Sequence, residues 1–274
     1  MNFEQFAQAH GVIVGRIVPG KWQRFPTVDK PKHRNGAVKH MGTWGLVQNW
    51  ATQTEPSIWR AEGESTAAQK RIADVANQAN KEASRAAEKS AHKAETMLSE
   101  CELCTHPYFE SKGFPDELVN VWKKDEENIA LIPMRSNGRI VGAQCIAPDG
   151  DKKFLYGQRS AHAEFIFGTR GADVLCEGYA TGLSVVAALR SLKMPARVHV
   201  TFSAGNMKKV AQTLSSGYVI ADNDASGTGE KTASEIGWPY WMSDVVGEDF
   251  NDAHQRIRLF GVAMQLKRML MRSG

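Results

Sequence analysis

Between residues 171 and 254, short apolar runs alternate with helix-forming stretches, and this alternation restricts the fold more than any other feature of the chain. ADVLCE, RVHVTF, GYVIAD and PYWMS read as strands, while YATGLSVVAALRSL, NMKKVAQTLS and GTGEKTASEIG between them read as helices. Strand–helix alternation with short connections predicts a parallel sheet covered by helices. In such sheets, ligands bind beyond the carboxyl ends of the strands.

Acidic residues fall at those ends. Glu177 closes DVLCE, Asp222 and Asp224 close YVIADND, and Asp249 and Asp252 lie in GEDFND. Adjacent parallel strands would bring Glu177 beside the Asp222/Asp224 pair. Unit charges ~4 Å apart repel by about 4 kcal/mol at an effective dielectric near 20. Carboxylates gathered without a Lys or Arg among them therefore imply a hard divalent cation, Mg²⁺ or Mn²⁺. Gly178, Gly227 and Gly229 leave room for a phosphate and backbone to approach closely. A lone Asp-x-Asp is more often a turn or a capping pair than a ligand set. The Glu-Gly after one strand and the acids after another shift that balance toward metal.

The rest of the chain divides into simpler segments. Residues 12–60 are punctuated by Gly, Pro and Asn and read as a small β-rich unit. In it Trp22, Phe25, Trp44 and Trp50 interleave with basic residues. Such a pattern suits either the core of a small domain or single-stranded nucleic acid, whose bases stack on rings beside cations. Residues 64–100 lack Gly and Pro, are rich in Ala and other strong helix formers, and read as one long polar helix acting as a connector. IALIPMR, RIVGAQCIA and KKFLYG, joined at Asn-Gly and Asp-Gly turns, predict a β-meander. QRIRLFGVAMQLKRMLMRSG reads as a basic amphipathic helix that packs on the sheet or docks a partner.

Charge is unevenly spread. Residues 1–62 hold eight basic and four acidic residues, 171–254 hold six and ten, and 255–274 hold five basic and no acidic ones. An acidic centre between basic ends suits a metal site served by polyanion-binding surfaces. At 274 residues and 42% hydrophobic, the chain can bury one large or two modest cores. Nothing approaches the roughly 20 apolar residues of a membrane span, and no signal-peptide pattern opens the sequence. With only four cysteines, a reducing cytoplasm is expected.

LCEGYATGLS, VIADNDASGTGEKTA and GEDFND together resemble the toprim domain. EGYATGLS, SAGNMKKVA and DFNDAH are similar to the toprim primases of phages, plasmids and other mobile elements. HPYFESKGF, GRIVGAQCIAPDGDKKFLYG and the 20–62 segment resemble what precedes toprim in those proteins. The resemblance covers residues 20–62 and 105–254 and implies an α/β toprim domain in a chain that is α+β overall. The expected division is 1–62 (β-rich), 63–104 (helical connector), 105–170 (β-meander of the catalytic core), 171–254 (toprim) and 255–274 (C-terminal helix).

The resemblance also implies roles. Glu177, Asp222 and Asp224 would be catalytic and, with Asp249 and Asp252, would hold Mg²⁺ or Mn²⁺. Lys152, Lys153, Arg159, Lys208 and Lys209 would face nucleotide and DNA. The activity implied is synthesis of short RNA primers from NTPs on a single-stranded DNA template, with a separate replicative helicase as partner and no membrane. Two alternatives stay open: a toprim metal-dependent nuclease, or a non-catalytic DNA-binding replication subunit. A topoisomerase would need a tyrosine nucleophile on a large further domain. Cellular primases carry a zinc module, for which Cys101, Cys104 and His106 are the candidate here; zinc is not expected, since a structural site wants four ligands. No Gly-x-x-x-x-Gly-Lys-Ser/Thr run is present, so a fused helicase motor is not expected.

Overall fold

The structure is a computed structural model that describes residues 1–50, 52–53, 56–63, 66–124 and 127–272. Residues 64–65 of the expected connector and 273–274 of the expected C-terminal helix lie outside the described residues. The chain forms two compact units, Met1–Ala86 and Ala87–Gly274.

In the first unit, α1 (Phe3–Ala9) opens with a capping box, Asn2 and Gln5 each accepting the other's backbone N–H. Strands β1 (Gln23–Phe25), β2 (Gly36–His40), β3 (Trp44–Asn49) and β4 (Ser57–Arg60) form an antiparallel sheet in sequential order. Alternate residues Phe25, Val38, Val47 and Trp59 meet Phe3 and Ala7 on one face. Gly45 is required there, because a Cβ would stand 2.3 Å from the Phe3 ring. The helix α2 (Ala67–Ser99) begins in this unit, and its Ala73 and Ala76 pack on Gly42 and Gly20. Small residues on both sides let the backbones approach, which is why the apolar stripe of α2 can be mostly alanine.

The second unit holds two sheets. One is antiparallel, in the order β5 (Glu102–Cys104), β6 (Val119–Lys124), β7 (Glu127–Ser136), β8 (Arg139–Ile146), β9 (Lys152–Phe154). The turn between β7 and β8 has Asn137 and Gly138 both at positive φ, 50° and 77°, as a two-residue hairpin loop requires. A short helix, α3 (Pro107–Ser111), lies between β5 and β6. The other sheet has the order β10 (Phe165–Phe167), β12 (Ala196–Val200), β11 (Ala172–Cys176), β13 (Tyr218–Ala221), β14 (Tyr240–Met242). Its last four strands in that order are mutually parallel, and β10 runs antiparallel to β12.

Helices α4 (Tyr179–Ser191), α5 (Ala204–Ala211), α6 (Thr228–Ile236) and α7 (Phe250–Arg272) complete the unit. Strand residues alternate between two cores. Val174, Cys176, Val198, Val200 and Ile220 pack with α4 and α7, while Leu175, Val219 and Ala221 pack with α5 and α6. Each fully buried Leu, Ile or Val contributes about 1.5–3 kcal/mol relative to exposure. Covering on both faces explains why these strands read as continuous apolar runs. The expected C-terminal helix is the end of α7, which starts earlier, bends at Arg258 (φ 64°) and buries Val262, Ala263 and Leu266. Among the described residues no helix is long and apolar enough to cross a membrane.

Candidate functional site

Glu177 directly follows β11, and Asp222 directly follows β13. These strands are parallel neighbours, with Val174 opposite Tyr218 and Leu175 opposite Val219. Continuing that register sets Glu177 alongside Ala221 and Asp222. Asp249 arrives from another direction. Asn223 Nδ2 donates to the Ser243 carbonyl (2.9 Å), Asn223 N–H donates to the Glu248 carbonyl (3.1 Å), and Gly247 N–H donates to the Asn223 carbonyl (2.6 Å). The loop after β14 is thereby stitched to the segment after β13. Thr181 Oγ1 on α4 donates to Asp249 Oδ2 (3.1 Å).

The five acids differ in what their oxygens already do. Asp224 is committed to the start of α6: Oδ1 accepts from Ser226 N–H (2.8 Å), Thr228 N–H (3.3 Å) and the Ser226 hydroxyl, and Oδ2 accepts from Gly229 N–H (3.0 Å). The Ser226 hydroxyl leads these donors in holding its carboxyl below the usual range. Asp249 and Asp252 form a reciprocal cap at the start of α7, each accepting the other's backbone N–H (2.8 and 3.3 Å). Asp252 also pairs with Lys112 at 3.4 Å.

Asp222 is the exception. Its Oδ1 is sealed from solvent and accepts no hydrogen bond from any described residue. Burial first, then the charges of Asp249, Glu177, Asp224 and Asp252, push its carboxyl up to about 7. Gly229 packs so tightly here that a Cβ would stand 2.0 Å from the Asp222 carbonyl oxygen. That glycine therefore fixes the backbone of the acid, while Gly227 supplies a left-handed turn at φ 67°.

Glu177 is raised from its ordinary value by burial, with Asp224 adding to the effect and the Ala204 N–H and Lys152 opposing it. Its carbonyl accepts from Phe202 N–H at 2.9 Å. Among the described residues, no three His, Cys, Asp or Glu side chains already stand as a ready metal-ligand set. Physically, three of the five carboxylates are turned toward N–H donors at their own helix ends, which relieves their mutual repulsion.

The basic candidates divide. Lys152 acts on Glu177 and lies 5.1 Å from the Tyr108 ring centre. Lys153 takes the alternate face of β9 and pairs with exposed Asp151 at 2.7 Å. Lys208 pairs with Glu235 at 2.6 Å, whereas Arg159 and Lys209 are exposed. A groove of about 440 Å³ that includes Arg170, Val186, Arg190 and Met194 is not lined by any of the acids.

The other candidates are accounted for locally. His106 caps α3, its Nδ1 accepting from Tyr108 N–H (3.3 Å), and its Nε2 meets the Asn128 carbonyl (3.0 Å). Cys101 Sγ donates to the Met97 carbonyl, and burial pushes the thiol up to about 11. In the first unit Phe25 packs on the core, while Trp22, Trp44 and Trp50 are 49%, 39% and 36% exposed. The Arg24 guanidinium lies 3.0 Å over the Trp50 ring. Asn223 and Thr181, which position Asp249, escaped the sequence reading, since an Asn between two aspartates gives no signal beyond a turn. No family model matches the chain, and no curated protein matches it.

Proposed function

We propose that the chain is a toprim-type primase that makes short RNA primers on single-stranded DNA, with Mg²⁺ or Mn²⁺ held at Asp222. The observation that carries this reading is Asp222 Oδ1, buried without a donor among the described residues and under the charge of four further carboxylates. A buried acceptor left without a partner costs about 1–3 kcal/mol, so the position calls for a cation. The donors are all carboxylate oxygens, which suit Mg²⁺ or Mn²⁺. Glu177, Asp224 and Asp249 would complete the set, Asp224 through the lone pairs its capping bonds leave, with Asp252 supporting Asp249.

When bound, the cation lowers the pKa of the attacking 3′-hydroxyl and stabilises charge on the transferring phosphate. The chain's own residues supply the rest. Glu177, held above the usual carboxylate range by burial, accepts the hydroxyl proton as the oxygen attacks the α-phosphate and pyrophosphate leaves. The Ala204 N–H at the start of α5 keeps that carboxylate in place. Lys152 and, from the nearby loop, Arg159 offer positive charge to the triphosphate and template. The partners in this reading are single-stranded DNA, NTPs and a separate helicase, in a cytoplasmic setting.

The test is primer synthesis on single-stranded circular DNA with labelled NTPs and Mg²⁺ or Mn²⁺, beside an Asp222→Asn/Asp224→Asn variant. Short labelled products from the unmodified protein alone are expected. Metal-dependent degradation of the template without primers would instead make the site a nuclease. An intact template without primers, with or without a helicase, would leave a non-catalytic DNA-binding subunit.

A further inference from the structure

Beside the acids, β9 and the turn after it display two aromatic rings that the chemistry above does not use. Phe154 is 45% exposed and Tyr156 is 97% exposed, although each is large enough to fill a core position. Both stand on fixed backbone. Phe154 pairs in register with Gln144 of β8. The Tyr156 turn is clamped by Gln158, whose Oε1 accepts from Ala143 N–H (3.0 Å) and Leu155 N–H (3.2 Å) and whose Nε2 donates to Met134 Sδ (3.0 Å).

Phe154 leads to the acids. Phe154 meets Phe202 edge-on, with ring centres 6.4 Å apart. Phe202 is a non-glycine residue at φ 64°, and its N–H is bonded to the Glu177 carbonyl. Holding a bulky residue in the left-handed region costs about 1–3 kcal/mol, a strain found where a site requires the position. Lys152, two residues before Phe154 and so on the same face of β9, bears on Glu177. One face of the strand thus carries a cation and an exposed ring beside the acids, and a second ring follows on a rigid turn. Cations that meet phosphates beside rings that meet bases are how single strands are held without regard to sequence.

We propose that Phe154 and Tyr156 form a stacking ledge for bases of the single-stranded DNA whose backbone passes the Asp222 site. This rests on the reading of that site as one that handles nucleic acid, and it adds the residues that would hold the bases. The ledge selects single strands, because a duplex keeps its bases stacked on one another.

The test is binding of fluorescein-labelled oligothymidylate to the full chain in Mg²⁺, followed by anisotropy. Phe154→Ala and Tyr156→Ala are each expected to weaken binding about 5- to 100-fold. Phe154→Trp and Tyr156→Trp should retain it. The preference for oligothymidylate over a duplex of equal length should shrink in the alanine variants. The Tyr156→Trp variant adds a readout that a structural role would not move: its extra emission should be quenched when oligothymidylate is added. At 97% exposure, Tyr156 can be replaced without disturbing the core, so this arm stands even where a Phe154 variant fails to fold. Unchanged affinity in both alanine variants, or extra emission indifferent to DNA, would overturn the ledge, as would self-association that these variants abolish while DNA binding persists. Intact binding and quenching with no primer synthesis would refute the primase reading and leave the ledge standing.

Discussion

Replacing Asp222 with Asn should stabilise the metal-free protein, an outcome opposite to that of most substitutions at a half-buried position. The Asp222 carboxyl rises from 3.8 to about 7 on folding, chiefly through burial and then through the four neighbouring acids. At about 1.36 kcal/mol per unit, ionising it in the folded protein costs about 4 kcal/mol, and proton sharing among coupled carboxylates reduces this to about 2–4 kcal/mol. The sign follows from the direction. A folded-state value above the unfolded one means that the folded chain holds the extra proton between about pH 4 and pH 7. Stability therefore falls as pH rises through that window, and the full penalty stands above it. Asn has almost the same shape, carries no charge and ends this dependence. For a unit of this size, each kcal/mol moves the melting temperature by about 2–4 °C. Thermal melts followed by circular dichroism in EDTA at pH 5 and pH 8 should show the variant ahead by about 5–15 °C at pH 8 and by much less at pH 5. Mg²⁺ should raise the wild-type midpoint and leave the variant's unchanged. A variant that melts at or below wild type at pH 8 in EDTA would refute the reasoning.

Three further outcomes are expected. His199, 2% exposed, lies between Glu164 (2.7 Å) and Asp173 (2.8 Å); burial opposes its charge, but bonds to the two carboxylates outweigh burial and raise it above its ordinary value. Its stabilisation is full below the unfolded value near 6.5 and is lost as pH rises through the higher folded one, so His199→Asn should cost about 3 kcal/mol in urea unfolding at pH 6 and less at pH 9. Gly229→Ala should displace the Asp222 backbone, lowering stability by about 1–3 kcal/mol and abolishing the proposed primer synthesis, as a melt and an activity assay on the same sample would show. Replacing Trp22, Trp44 and Trp50 together by Ala should weaken oligothymidylate binding at least about tenfold if their exposed rings stack on bases; equal affinity would assign them to the first unit alone.

The parts of the fold legible in the sequence are those where burial writes a pattern. Strands β11, β13 and β14 contribute side chains to the cores on both faces of the sheet and so appear as apolar runs between helices. The β7–β9 meander is announced by Asn137-Gly138, whose turn demands positive φ. By contrast β5 is short and largely exposed, so nothing marks CELC as a strand and its cysteine spacing draws the eye to metal instead. The bend at Arg258 has no Gly or Pro at that residue to announce it. At the site, residue type located the acids but could not assign their work. Asp and Asn cap helices for the same reason that they bind cations, because a short side chain presents an oxygen to nearby positive charge. Asp224, Asp249 and Asp252 are capping groups in the structure, and only the geometry separates them from Asp222, whose Oδ1 meets no donor among the described residues.

The most direct measurement is therefore a titration of the protein with Mn²⁺ at pH 8, followed by electron paramagnetic resonance of the free ion, for wild type and for Asp222→Asn. Saturable binding by the wild type that falls at least about tenfold in the variant, and that added Mg²⁺ displaces, is the predicted result. Equal Mn²⁺ binding by the two proteins, or none by the wild type, would contradict the assignment of Asp222 as the residue that holds the cation.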